Sequence, residues 1–312
     1  MGTPDFSVGT LNAIIDAGHE VVAVVTQPDK PKGRSKTLQF SPVKEAALAH
    51  NLTVLQPIRA RDEEFIKTLR QYNADVCVVV AFGQILPKEI IEMPKYGCIN
   101  VHASLLPEYR GAAPIQYAVI DGCEYSGVTT MQMNEGLDTG DILKVAKVKL
   151  DKKETGGSLF DKLEGVGAKL LVETLDGVEK GEITPIPQDD SKSSYVKIIK
   201  KSMGKIDFNK DAIVIERLIR GLNPWPSAYT MLDNKTFKIW DADCLTEVEN
   251  VDCDLNLVKP GTIIFKDKNS FIIKCGTGFI RANEVQLEGK KRMDAGSFLR
   301  GYNLEIGTIF DN

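Results

Sequence analysis

Histidine and tryptophan are scarce in this chain of 312 residues, three and two in all, and long apolar runs are missing. The longest apolar run, "VCVVVAF" at 76–82, has seven residues, whereas a helix that spans a bilayer needs about 20. The opening "MGTPDFSVGT" has neither the basic nor the apolar segment of a secretory signal. These absences predict a cytoplasmic protein without membrane contact. The six cysteines (77, 98, 123, 244, 253 and 275) form no Cys-x-x-Cys pair. A zinc site is therefore not expected, and cysteines inside apolar runs fit reduced core thiols. The net charge of -4 exerts no global pull toward nucleic acid, so any such role must come from local basic patches. No Gly-x-Gly-x-x-Gly follows the first strand position, and neither a P-loop nor a Gly-x-Ser-x-Gly elbow occurs. With His19, His50 and His102 as the only histidines and no Ser or Cys elbow, a covalent acyl-enzyme is disfavoured.

The near-continuous Val-rich runs "HEVVAVVTQ" (19–27) and "DVCVVVAFG" (75–83) read as parallel strands covered on both faces. "GCINVHA" (97–103), "VTTMQM" (128–133) and "ILKVAKVKL" (142–150) add further strands. Segments of helical period separate the early strands: "VGTLNAIIDAG" (8–18), "SPVKEAALAHN" (41–51) and "DEEFIKTLRQYN" (62–73). A long helical stretch covers 158–181. This alternation predicts an α/β fold with a doubly wound, mostly parallel, Rossmann-like sheet over 1–181. The first strand of that sheet looks absent, because "MGTPDF" has the character of the turn that follows it. Pro-, Ser- and Lys-rich residues 182–203 read as a basic linker. Beyond them, 204–312 combines one amphipathic helix with short strands, which predicts a small β-barrel of OB type.

In "GCINVHASLLPEYRGAAP" (97–114), Asn100 and His102 break an otherwise apolar strand. Side chains alternate along a strand, so both point to one face, at the carboxyl edge where open α/β sheets bind ligands. An isolated buried histidine more often bonds a backbone carbonyl; two polar groups on one face at that edge shift the balance toward a site. Asp138 and Asp141 sit in "NEGLDTGDIL" (134–143), after a strand expected to end on the same side. Asp in such a loop is usually a turn former, yet Asp138 would there orient the His102 imidazole. An amide, an imidazole and a carboxylate without a nucleophile suit direct acyl transfer between two bound substrates.

At these residues the sequence resembles the folate-dependent formyltransferases. The carrying motifs are Asn100-Val101-His102, Ser104-Leu105-Leu106-Pro107 and Leu137-Asp138-Thr139-Gly140-Asp141, supported in order by "GTPDF", "TQPDKPKGR", "SPVK" and "NPWP". The resemblance implies 10-formyltetrahydrofolate as formyl donor and the α-amino group of methionine on initiator tRNA as acceptor. It implies catalysis by Asn100, His102 and Asp138 through a tetrahedral intermediate, and a folate pocket lined by Ser104, Leu105, Leu106 and Pro107. It also places a tRNA-contacting loop at "PDKPKGRSK" (28–36), with Lys30, Lys32, Arg34 and Lys36. From charge alone that loop is an ordinary solvated one. Lys197, Lys200 and Lys201 form a second basic patch, in a stretch without acid. The β-module at 204–312 is expected to bind tRNA, and the protein to be a monomer without metal. An amino-sugar nucleotide or water as acceptor, or a non-catalytic RNA-binding protein, remain rival readings.

Overall fold

The computed structural model describes residues 1–32, 37–249, 251, 254–255 and 257–310. It divides the chain into two compact units. The first comprises Met1–Pro114, Tyr125–Lys149 and Phe160–Val196, and the second Ile115–Glu124, Leu150–Leu159 and Lys197–Asn312.

The first unit contains strands β1 (Val24–Val25), β2 (Lys30–Lys32), β3 (Thr37–Gln39), β4 (Val54–Leu55), β5 (Cys77–Val79) and β6 (Cys98–His102). It also contains β7 (Arg110–Gly111), β8 (Tyr125–Gln132), β9 (Ile142–Lys149) and β10 (Tyr195–Val196). β1 pairs with β4 and β5 with β6, all parallel. The expected helices form at Phe6–Asp16, Pro42–Ala49 and Glu63–Arg70, and the long one spans Gly156–Glu179. Local chemistry explains two of them. The Ser41 hydroxyl caps the N–H of Lys44 ahead of a first-turn proline, and Glu63–Arg70 carries acid in its first turn and base in its last. One side of the sheet buries Leu11, Val24, Val43 and Ala47; Val25, Leu69, Val79 and Ile90 lie in a separate cluster.

Met1, Gly2 and Thr3 bridge the β1 and β5 segments. The Gly2 N–H donates to Val25 O at 2.9 Å, and the Val80 N–H to Met1 O at 2.9 Å. The Met1 ammonium donates to Val78 O at 2.6 Å, and burial pulls its pKa down. A cavity of about 650 Å³ opens beside it, lined by Leu11, Ile14, Val24, Val76, Val78 and Leu175 among others.

The Rossmann-like sheet is parallel only as far as β6. β8 runs antiparallel to β6, and β9 antiparallel to β8. A parallel return from β8 to β9 would need a crossover of a dozen residues or more, and the loop 133–141 is too short for one. The expectation that β8 ends beside His102 is therefore corrected: in the register, His102 lies opposite Thr129, and the end of β8 at Gln132 lies opposite Ile99.

The second unit holds an antiparallel sheet of β11 (Ala228–Leu232), β12 (Lys235–Leu245), β13 (Ile263–Lys266), β14 (Phe271–Lys274), β15 (Phe279–Leu287) and β16 (Met293–Asp294). The order is β11-β12-β15-β14-β13, with β16 on β15. The sequence suggested a small OB-like β-barrel here, and the separate antiparallel sheet is what the structure shows among the described residues. Asp233 and Asn234, both at positive φ, make the two-residue turn between β11 and β12, a conformation that short polar side chains tolerate. Phe237 anchors the core, with ring centroids 5.2 Å from Phe298 and 5.3 Å from Phe310.

On the same unit, the Asp243 carboxylate accepts from Lys153 at 2.6 Å, Arg281 at 2.7 Å and Asn283 at 2.9 Å. Burial alone would push its pKa up, but these donors outweigh burial and hold it well below the usual carboxylate range. A carboxyl depressed on folding adds stability above its unfolded pKa of about 3.9. That stability drains as pH falls through the folded value. Thermal unfolding of this unit should therefore lose more stability below about pH 4 in the parent than in Asp243→Asn. Parallel melting curves for the two from pH 6 to pH 2 would contradict the assignment.

Candidate active site

β6 delivers Asn100 and His102 to one face, as the alternation requires. His102 is buried, and its Nε2 lies 3.0 Å from the carbonyl oxygen of Tyr109. Its Nδ1 lies 3.7 Å from Oδ2 of Asp138, a charge contact rather than a hydrogen bond. Nε2 thus has a hydrogen-bond partner, while Nδ1 faces the carboxylate at the longer distance. Asn100 is half-buried, and its amide has no partner among the described residues, which leaves it free to donate outward.

Asp138 reaches the ring because the loop 133–141 folds back over the face that carries Asn100 and His102. The Gln132 N–H bonds Asp141 O at 2.8 Å where the loop closes. Gly140 lies so close that a Cβ there would sit 1.7 Å from Gln132 O. Asp138 itself adopts φ +54°, a left-handed conformation that Asp tolerates better than most residues. Its Oδ2 accepts the Gly111 N–H at 2.8 Å, so the carboxylate is held by a backbone donor while facing His102. Gly111 has φ +107°, and a Cβ there would meet Val196 O at 2.4 Å. Asp141 instead closes the loop through its backbone.

The loop after β6 is fixed by Thr129. Its hydroxyl donates to Ser104 O at 2.7 Å and accepts from the Leu106 N–H at 3.1 Å. The Ser104 hydroxyl donates to Glu108 O at 2.6 Å, and Ser104 and Leu106 are buried. Leu105 and Pro107 are half-buried and retain surface for a ligand. Lys30 is exposed on the hairpin of β2 and β3, while Arg34 and Lys36 lie outside the described residues, as does the Lys32 side chain. Lys197, Lys200 and Lys201 are exposed and belong to the second unit.

Sequence reasoning missed two residues that the structure sets beside the Asp138 loop, Arg110 and Gln188. A charged residue inside "LLPEYRGAAP" was a weak signal for the first. Gln188, in a Pro- and Ser-rich stretch, offered none. That stretch follows the first unit as far as Val196: Ile186 exchanges backbone hydrogen bonds with Ile142, and β10 pairs with β7. Among the described residues no cluster of three or more His, Cys, Asp or Glu side chains could hold a metal, and no helix is long and apolar enough to cross a membrane.

Two family profiles cover almost the whole chain: formyl transferase over residues 1–175, and formyl transferase C-terminal domain over 198–303. The chain belongs to the formyl transferase family. This formyltransferase is 70% identical over 309 residues to the methionyl-tRNA formyltransferase of Lachnospira eligens, covering 99% of this chain and 98% of the relative. It is 57% identical to the enzyme of the same name from Agathobacter rectalis over 310 residues, again 99% and 98% of the two chains. Among solved structures, a sugar 3N-formyl transferase, WlaRD, crystallised with dTDP and 5-N-formyl-THF, shares its fold. The TM-score is 0.66 at 22% identity, over 93% of this chain and 97% of that one. The N-formyltransferase of Helicobacter canadensis, in complex with folinic acid and dTDP-3-aminofucose, gives 0.65 at 20%, over 90% and 96%. At such identities the likeness speaks for the fold alone.

Gly140→Ala tests whether the loop's fold sets the site. The added methyl must displace the turn that carries Asp138, so formyl transfer should fall by about 10- to 100-fold with the far-UV circular dichroism unchanged. Parent-like turnover would show that the carboxylate's placement is not critical.

Proposed function

We propose that this formyltransferase moves the formyl group of 10-formyltetrahydrofolate to the α-amino group of methionine on initiator tRNA, supplying translation initiation. The observation that carries this reading is the convergence of Asn100, His102 and Asp138 on one face of the sheet in a chain similar along its whole length to methionyl-tRNA formyltransferases.

A free α-amino group has a pKa of about 7.7 to 8.0, and esterification of its carboxylate lowers it, so much of the nucleophile is neutral at cellular pH. Attack on the formyl carbon then needs no strong base. The tetrahedral intermediate carries an alkoxide and an ammonium. Asn100, whose amide is otherwise uncommitted, donates to the alkoxide together with His102. His102 passes a proton toward N10 of the departing folate, and Asp138 steadies the charged ring and helps to relay protons. Leu105 and Pro107, with Ser104 and Leu106 behind them, line the folate side. Lys30, Lys32, Arg34 and Lys36 engage tRNA phosphates from the first unit, and Lys197, Lys200 and Lys201 from the stretch leading into the second. Residues 1–181 serve as the catalytic domain, with 204–312 binding tRNA. The protein works as a monomer in the cytoplasm.

Labelled formyl transfer tests this directly, with methionyl initiator tRNA, a UDP-amino sugar and water offered as acceptors. Transfer to the tRNA alone is expected; transfer to either of the others would replace the reading. Asn100→Ala and His102→Ala should each lower turnover by about 10²-fold or more. A folded His102→Ala protein with near-parent turnover would refute the assigned roles. Binding of the tRNA should weaken steeply with salt, and the log–log slope should flatten when Lys197, Lys200 and Lys201 are changed together to Glu. An unchanged slope would remove that patch from the interface.

A further inference from the structure

Arg110 is a deeply buried cation of the first unit, with 1% of its surface exposed. Its guanidinium directs Nε and Nη2 onto Oε1 of Gln188, at 3.0 and 2.8 Å. Nη2 also reaches Asp190 at 2.8 Å, and Nη1 the Tyr195 hydroxyl at 3.0 Å. The other end of Gln188 is equally committed. Its Nε2 donates to the carbonyl oxygens of Asp138, at 2.9 Å, and Gly140, at 2.6 Å. A guanidinium only donates and a carbonyl only accepts, so the amide has one possible orientation; four of its hydrogen bonds run between Arg110 and the loop, and Nε2 also lies 4.0 Å from Met131 Sδ.

The two carbonyls that Gln188 grips flank the turn in which Asp138 adopts its left-handed conformation. The neighbouring Gly111 N–H holds the carboxylate itself, and the Tyr109 carbonyl holds His102. The tripeptide 109–111 therefore touches both catalytic groups, and Gln188 is the strut between its arginine and the backbone of Asp138.

We infer that Gln188 is a positioning residue for the Asp138 carboxylate, setting its reach to His102 from a segment outside the catalytic motifs. The inference rests on the catalytic reading of Asp138 given above. Gln188→Glu is the discriminating variant. It keeps, and charges, the contact to Arg110 but turns an acceptor toward two carbonyls. The loop must then shift while the arginine stays paired, so the unit keeps its fold. Gln188→Ala, which removes both contacts, is the second arm.

The expected result is a fall in kcat of about 10- to 100-fold in either variant, with KM for folate and tRNA within about twofold of the parent. In an Asp138→Ala background the same substitutions should cost less than about twofold, because a residue that works through Asp138 has nothing left to position. A purely structural role would lower activity by the same factor with or without the carboxylate, and that outcome overturns the inference. So does parent-like kcat in Gln188→Glu. A second readout needs no activity. Exchange of the Gly111 amide, protected by Oδ2 of Asp138, should speed up in Gln188→Glu, and in an Asp138→Ala background Gln188→Glu should add no further change. If the parent transfers no formyl group, the proposed function fails, and Gly111 exchange still decides whether Gln188 places the carboxylate.

Discussion

The proposed chemistry depends on the distance between one carboxylate and one imidazole, and the sheet does not supply that distance by itself. β6 and β8 run in opposite directions, so the loop that bears Asp138 starts at the wrong end of the strand beside it. A return over the sheet face, a left-handed aspartate and a glycine packed onto backbone bring the carboxylate to 3.7 Å from the ring. Each of these features would cost stability in isolation. They persist because the loop is held at several points: by the Gly111 amide, by its closing bond to Gln132, and by the side chain of Gln188.

The same economy shapes the polar interior around it. A cation as buried as Arg110 is tolerable only if its donors are filled, and its ionic partner among the described residues, Asp190, is itself largely exposed. The neutral oxygen of Gln188 and the phenol of Tyr195 take further donors. With four of its five N–H groups engaged, Arg110 sits in a well-connected network, and such networks rigidify the groups they hold. Asn100 shows the complementary state. Its amide has no internal partner among the described residues, so under the proposed function a substrate oxyanion would meet a donor not already engaged.

The motif around Asn100 and His102 was legible in the sequence because strand alternation is a strict rule: two polar residues spaced by one must share a face. The parallel half of the sheet was legible because strands covered on both faces must be apolar throughout. Asp138 was identified by its motif, yet the route by which it arrives was not. The strand before it was read as ending beside His102, whereas the register carries that end past Ile99. Composition marked residues 182–203 as a linker, and composition carries no sign that Ile186, Gln188 and Tyr195 pair with distant backbone and side chains.

By itself, then, the amino-acid order determined the longer helices, the Val-rich buried strands, the face shared by the amide and the imidazole, and membership of a family, but not the helices at Lys88–Ile91, Pro114–Ile120 and Ala295–Gly301. Those properties follow from local periodicity and from motifs a few residues long. Strand direction, the fold-back of the 133–141 loop, the strand order of the second unit and the strut from Arg110 through Gln188 were decided only in three dimensions. Each depends on hydrogen bonds between residues far apart in the chain, up to 78 positions for Arg110 and Gln188, and no local pattern encodes which partner such a bond will find.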